Sequence, residues 1–161
     1  MLRLGEAVVY KCKGIYEVEQ IGTLNFSFVD RKKQYFTLRS LKNENDKAYV
    51  PVDDVSNIRK PMEKAQVFAL IQKMDDIEVL RIRNEKFREQ EYKECISGYS
   101  PEGWVRVLKT LHKRTVSRGS ITSVDKRYKQ LLEHALYSEI AYAMKIQENE
   151  VEQFIEDNAK K

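Results

Sequence analysis

The chain of 161 residues is poor in the residues from which catalytic and secretory signatures are built, with two cysteines, two histidines, one tryptophan and three prolines. Cys12 and Cys95 are far apart and form no CxxC pair, which points to reduced thiols in a cytosolic protein. His112 and His134 fall on separate expected helices, with no second ligand at metal spacing, so each reads as a surface or packing residue. No metal and no cofactor are expected. No triad, phosphate loop or ligand cluster is visible, which places an enzyme last among the readings and leaves no small-molecule substrate to look for. No apolar run approaches the roughly 20 residues of a membrane helix, and no basic region followed by an apolar one opens the chain. The expectation is a soluble, cytoplasmic protein without membrane contact. Internal repeats and low-complexity stretches are absent too. The acid pairs Asp53-Asp54 and Asp75-Asp76 border regular elements and read as turn and capping residues.

What is present is charge and two hydrophobic periods. Charged residues make up 34% of the chain, and 29 Lys and Arg against 25 Asp and Glu give a net charge of +4. So small a surplus fits an ordinary solvated surface, and any argument about nucleic acid must come from how the charge is distributed. A hydrophobic content of 42% is enough for one core, or for two small ones if the pattern changes along the chain.

Up to about Arg59 the period is two. LGEAVVYKCKGIYEVEQIG, residues 4–22, reads as a hairpin with Val8 and Tyr10 on one face and Tyr16, Val18 and Gln20 alternating with Ile15, Glu17 and Glu19. Gly14 can supply the positive-φ position of its turn. DRKKQYFTLRSL alternates Tyr35, Thr37 and Arg39 with Phe36, Leu38 and Ser40, and the polar turn Asn43–Asp46 leads into AYVPV. Pro51 cannot donate to a ladder, so its strand belongs at an edge or strand end. The fold class expected is α+β: four or five short antiparallel strands over residues 1–60, forming a bent sheet or partial barrel, then an all-α bundle of four to five helices over 61–161.

The helical period starts after Pro61. Val67, Leu70, Ile71 and Met74 form one stripe; Phe87, Tyr92 and Cys95 or Ile96 form a second behind Asn84 as N-cap. Ser100 and Pro101 open a third helix with Trp104, Val107, Leu108 and Leu111 on its apolar stripe. The longest stripe runs through Tyr128, Leu131, Leu132, Ala135, Leu136, Ile140, Ala143 and Met144, and Thr122 with Asp125 resembles a capping box with Asp in place of Glu. Val151, Phe154 and Ile155 mark a last short helix.

The charge is concentrated in the middle of this half. From Gly103 to Gln130 the basic residues are Arg106, Lys109, Lys113, Arg114, Arg118, Lys126, Arg127 and Lys129, against the single acid Asp125. At 100° per residue Arg106, Lys109 and Lys113 lie opposite Trp104, Leu108 and Leu111, and Arg114 lies at the border. Two readings stay open: a solvated helix face, or a helix-loop-helix that straddles a phosphate backbone without reading bases.

Leu4-Gly5-Glu6-Ala7-Val8-Val9-Tyr10 followed by Gly14, then Gln34-Tyr35-Phe36-Thr37-Leu38 and Tyr49-Val50-Pro51-Val52, resembles the polymerase-interacting domain of the CarD/CdnL family of bacterial transcription regulators. The basic helix ending in Lys113-Arg114, with Thr122-Ser123-Val124-Asp125-Lys126-Arg127-Tyr128 and the helix reaching Glu139-Ile140-Ala141, is similar to that family's C-terminal half. The likeness is closest to its clostridial branch. It implies a Tudor-like β domain that docks by strand addition on the RNA polymerase β subunit, with Tyr49, Val50 and Pro51 near the contact and Lys11 and Lys13 as electrostatic partners. It also implies a helical domain that touches promoter DNA beside the melted region and modulates open-complex stability, here through Arg106, Lys109, Lys113, Arg114, Arg118, Lys126 and Arg127. Well-studied members carry a wedge tryptophan early in the helical domain. Arg81–Lys86 holds none, and Trp104 reads as core. Members from actinobacteria place a basic residue where this chain has Tyr49. The competing reading is a polymerase-bound adaptor without DNA contact.

Overall fold

The computed structural model describes residues 1–159 and divides into two compact units, the first ending at Pro61 and the second beginning at Met62. The first unit is one antiparallel sheet of five strands, β1 (Ala7–Tyr10), β2 (Gly14–Thr23), β3 (Gln34–Ser40), β4 (Lys47–Pro51) and β5 (Ile58–Arg59), in the order β4-β3-β2-β1-β5. The second holds α1 (Lys64–Lys73), α2 (Arg88–Ile96), α3 (Pro101–Arg118), α4 (Ser123–Met144) and α5 (Val151–Asn158), with short 3-10 turns before α2 and α5 and after α1. The α+β class and the Tudor-like β unit read from the sequence are those of the structure.

In the β unit the period of two places Val8, Tyr16, Val18, Phe36, Leu38, Ala48 and Val50 in one core cluster. The tight hairpin joins Tyr10 to Gly14, where φ is 121°, and Lys11 shares the positive-φ work at 49°. One sequence expectation fails here. Gln20 does not continue the face of Tyr16 and Val18, because the register with β3 shifts between Val18 and Gln20, leaving Glu19 as an extra residue. Such a bulge reverses the alternation beyond it. Gln20 is therefore exposed, and Ile21 packs on the core instead. Tyr16 closes the cluster at one end by donating its hydroxyl to Asp46 at 2.8 Å, and burial with that carboxylate raises its pKa well above the usual phenol range.

In the helical unit Val67, Leu70, Ile71, Tyr92, Trp104, Val107, Leu111, Leu132, Leu136 and Ile140 are buried. The three helix N-caps expected from the sequence are in place: Asn84 accepts from Lys86 N at 3.0 Å, Ser100 from Gly103 N at 3.1 Å and Thr122 from Asp125 N at 3.1 Å. Gly103 is required by close packing, since a Cβ there would lie 2.7 Å from the Cys95 carbonyl oxygen. Two apolar assignments need correction. Phe87 is 55% exposed and Leu131 40%. The one-turn 3-10 segment Glu85–Phe87 precedes α2, so Phe87 stands outside the phase that buries Tyr92 and Ile96. Leu131 flanks the buried Leu132 and falls outside the α4 stripe.

Candidate functional site

The sheet ends in β4 at one edge and in the two-residue β5 at the other, and β4 pairs with β3 on one side only. Ser40 N donates to Asp46 O at 2.9 Å and Val52 N to Gln34 O at 3.0 Å, which fixes the even-numbered residues of β4 as those bonded to β3. In an antiparallel pair the intervening residues turn their backbone groups outward. The N–H and C=O of Lys47 and Tyr49 thus face away from the sheet, while Pro51 ends the run without an N–H and gives its carbonyl to Asp54 N at 3.1 Å. Val50 is 3% exposed and its side chain belongs to the core, so in this strand only its neighbours present side chains outward.

Tyr49 projects on the face opposite that core. Its ring meets the Phe26 ring edge-on at 5.2 Å, and Phe26 stacks on Phe28 at 5.3 Å with an interplanar angle of 2°. Both phenylalanines come from the β2–β3 connection, residues 24–33, which the sequence reading left without a role. On the same face Lys47 Nζ lies 2.9 Å from Glu19, and Arg39 lies 3.9 Å from both Glu17 and Glu19. Lys11 and Lys13 are elsewhere. They occupy the β1–β2 turn beside the Tyr10 ring, at 5.3 Å and 6.0 Å from its centroid, with β3 between that hairpin and β4. The sequence grouped them with Tyr49, Val50 and Pro51; the fold does not bring them together.

The eight basic residues from Gly103 to Gln130 separate into two sets. Lys109 spends its ammonium on the carbonyls of Met74, Asp75 and Ile77, at 2.8, 3.1 and 2.6 Å, closing the C-terminal end of α1. Arg114 donates two parallel bonds to Glu85 at 2.6 and 2.7 Å and a third from Nε to Asp125 at 3.1 Å. Both depart from the solvent-facing role expected of them. The physical reason is that each sits at the border of the apolar stripe, where a long side chain reaches a neighbouring element more readily than water. Arg118 also reaches Glu85 at 3.1 Å, Arg127 reaches Glu89 at 2.7 Å and Lys129 reaches Glu133 at 3.7 Å. Arg106, Lys113 and Lys126 are exposed.

Asp125 organises the contacts around Arg114. It is 2% exposed and accepts from Tyr92 OH at 3.0 Å, Arg88 Nε at 3.4 Å and Arg114 Nε at 3.1 Å, joining α2, α3 and α4. Its backbone makes the bond expected from Thr122, but its carboxylate turns inward to the arginines and does not return to the cap. The paired hydrogen bonds from Arg114 hold Glu85 far below the usual 4.5, at about 2, and the same pair raises Arg114. Burial, then the bond to Asp125, raises Tyr92.

Beside this network the non-helical segment 78–84 is pinned to α3 by Leu80 N donating to the buried Thr110 hydroxyl at 2.9 Å. A cleft of about 640 Å³ opens there, with Arg81, Lys113 and Arg118 among the cations on its walls and Glu78 and Glu85 among the anions. Arg83 and Phe87 are exposed nearby in sequence, and Lys86 Nζ lies 5.8 Å from the Phe87 ring. The sequence reading gives Arg81 and Arg83 no binding role and places Phe87 on an apolar stripe with Tyr92. The cue was available in Asn84, whose cap offsets Phe87 from the helix behind it.

Among the described residues no helix is long and apolar enough to cross a membrane. Residues 2–62 match the model of the CarD-like/TRCF RID domain family. No curated protein matches the chain.

Proposed function

From the premise that the N-terminal unit belongs to the CarD-like/TRCF RID family, an RNA polymerase β-interacting domain, we propose that this chain is a non-enzymatic transcription regulator that docks on polymerase through β4. The observation that carries this reading is the open edge at Lys47 and Tyr49. Outward N–H and C=O groups on an edge strand are what a partner strand needs, and they give affinity without any catalytic side chain. The protein then resides with polymerase in the cytoplasm, at the nucleoid.

On this reading the helical unit meets promoter DNA through Arg106, Lys113 and Lys126, with Arg81 and Arg118 along the cleft and the exposed Arg83 next in sequence, and modulates the stability of the open complex. Phe87 is an exposed aromatic close in sequence to Arg81 and Arg83, with Lys86 Nζ 5.8 Å from its ring. It suits the wedge position that the family likeness gives to tryptophan, whereas Trp104 is fully buried. Lys109 and Arg114 act as struts. Replacing Arg106, Lys113 and Lys126 together by alanine is expected to weaken duplex binding for unrelated sequences and to flatten its salt dependence by about 0.9 in log–log slope per lost phosphate contact. Phe87→Ala is expected to shorten open-complex lifetime with little change in that slope.

The second reading, an adaptor on polymerase without DNA contact, draws support from the internal partners of Lys109, Arg114, Arg118, Arg127 and Lys129. An unchanged salt slope in the triple variant, measured with and without polymerase, would select the adaptor.

A further inference from the structure

The β2–β3 connection is ordered by its own bonds. Val29 N reaches Phe26 O at 3.5 Å, Lys33 N reaches Asp30 O at 3.2 Å, and the Asp30 carboxylate accepts from Lys32 N at 2.9 Å. That order holds two aromatic rings in parallel, and Phe28 is 78% exposed. A large apolar ring left in water costs free energy that packing on a neighbour's side chain would recover. Its position matters more than its exposure. Phe26 touches Tyr49, the residue whose backbone faces outward from β4, so the ring stack is continuous with the docking edge.

We infer that Phe26 and Phe28 form the side-chain-reading part of the docking surface: a strand of the polymerase β subunit pairs with β4, and an apolar side chain on that strand covers the Phe28 ring. The inference rests on the docking reading above and adds to it a residue that sets specificity. Main-chain bonds at an edge accept almost any extended sequence, so discrimination has to come from pockets or platforms for alternate side chains. The rim has a sign as well. Arg31, Lys32 and Lys33 follow the aromatic pair with Asp30 as the acid beside them, so the partner strand should carry acidic residues next to its apolar one. The same charge disfavours a second copy of this chain as occupant, since two such loops would bring six cations to one seam.

The test compares two variants of the full chain for binding to RNA polymerase core enzyme, with thermal midpoints as the folding control. Phe28→Ser changes a mostly exposed ring and is expected to leave the midpoint in place while raising Kd about tenfold, or about 1.4 kcal/mol. Tyr49→Pro removes an outward N–H and is expected to abolish binding. If Phe28→Ser binds like the parent chain while Tyr49→Pro does not bind, the aromatic platform is refuted and edge docking stands. If Tyr49→Pro binds like the parent chain, edge docking fails and the inference falls with it. Self-association of the parent chain at the concentrations used for binding, abolished by Phe28→Ser, would assign the platform to a second copy and overturn the choice of partner.

Discussion

The β unit and the helical unit both carry many charges, yet they use them differently. On the sheet, Glu17, Glu19, Arg39 and Lys47 cross-link strands on one face and leave the edge of β4 open in its backbone. In the helices, half of the basic residues that looked like a nucleic-acid face reach a neighbouring element, and the open features are a cleft and an exposed aromatic. The difference shows that clustered positive charge in a sequence locates helix borders as readily as it locates a ligand. A strand edge marked by proline is a local feature that the sequence places directly.

The largest effects should come from the struts and the core beneath them. Trp104→Ala removes a fully buried ring and should cost about 3–5 kcal/mol in denaturant unfolding. Asp125→Ala leaves Arg88, Arg114 and the Tyr92 hydroxyl without their shared acceptor and should cost a comparable amount, on the order of 3 kcal/mol. If Asp125→Ala were as stable as the parent chain, the contrast between struts and free surface would fail at its centre.

Next in size are the two cations withdrawn from the surface. Lys109→Ala uncovers three carbonyls at the end of α1 and should destabilise by about 1–3 kcal/mol. The triple Arg106, Lys113 and Lys126 variant should change stability by no more than about 0.5 kcal/mol per site. Comparing the urea midpoints of these proteins sharpens the division into two sets. Equal midpoints would erase it.

The smallest effect is in acid. Glu85 is held at about 2 in the folded chain against the usual 4.5, so its contribution is complete above the higher value and is lost as pH falls through the lower one. Glu85→Gln should therefore narrow the stability gap between the variant and the parent as pH drops from 5 toward 2. The gap itself should be small, because the carboxylate is half-exposed and solvent screens the pair.

How much of this was legible in the sequence follows from the range of each interaction. Pro51 located the edge because a missing donor is a local fact, and Ser100, Thr122 and Asn84 located helix starts for the same reason. The bulge at Glu19 was not legible, since it depends on how β2 meets β3, and it reversed the face of Gln20 and Ile21. The inward turn of Asp125 and the partners of Arg114 and Lys109 join segments about 11 to 37 residues apart, beyond what helical period encodes. Phe26 and Phe28 lay in a stretch with no regular period. Only the contact of Phe26 with Tyr49 gives the pair a place.

The central claim is that β4 docks polymerase by main-chain pairing, and the most direct measurement is the affinity of full-length Tyr49→Pro for RNA polymerase core enzyme beside that of Tyr49→Phe. The account expects Tyr49→Phe to bind like the parent chain and Tyr49→Pro to lose binding while its thermal midpoint shows a folded protein. Undiminished binding by folded Tyr49→Pro would contradict it.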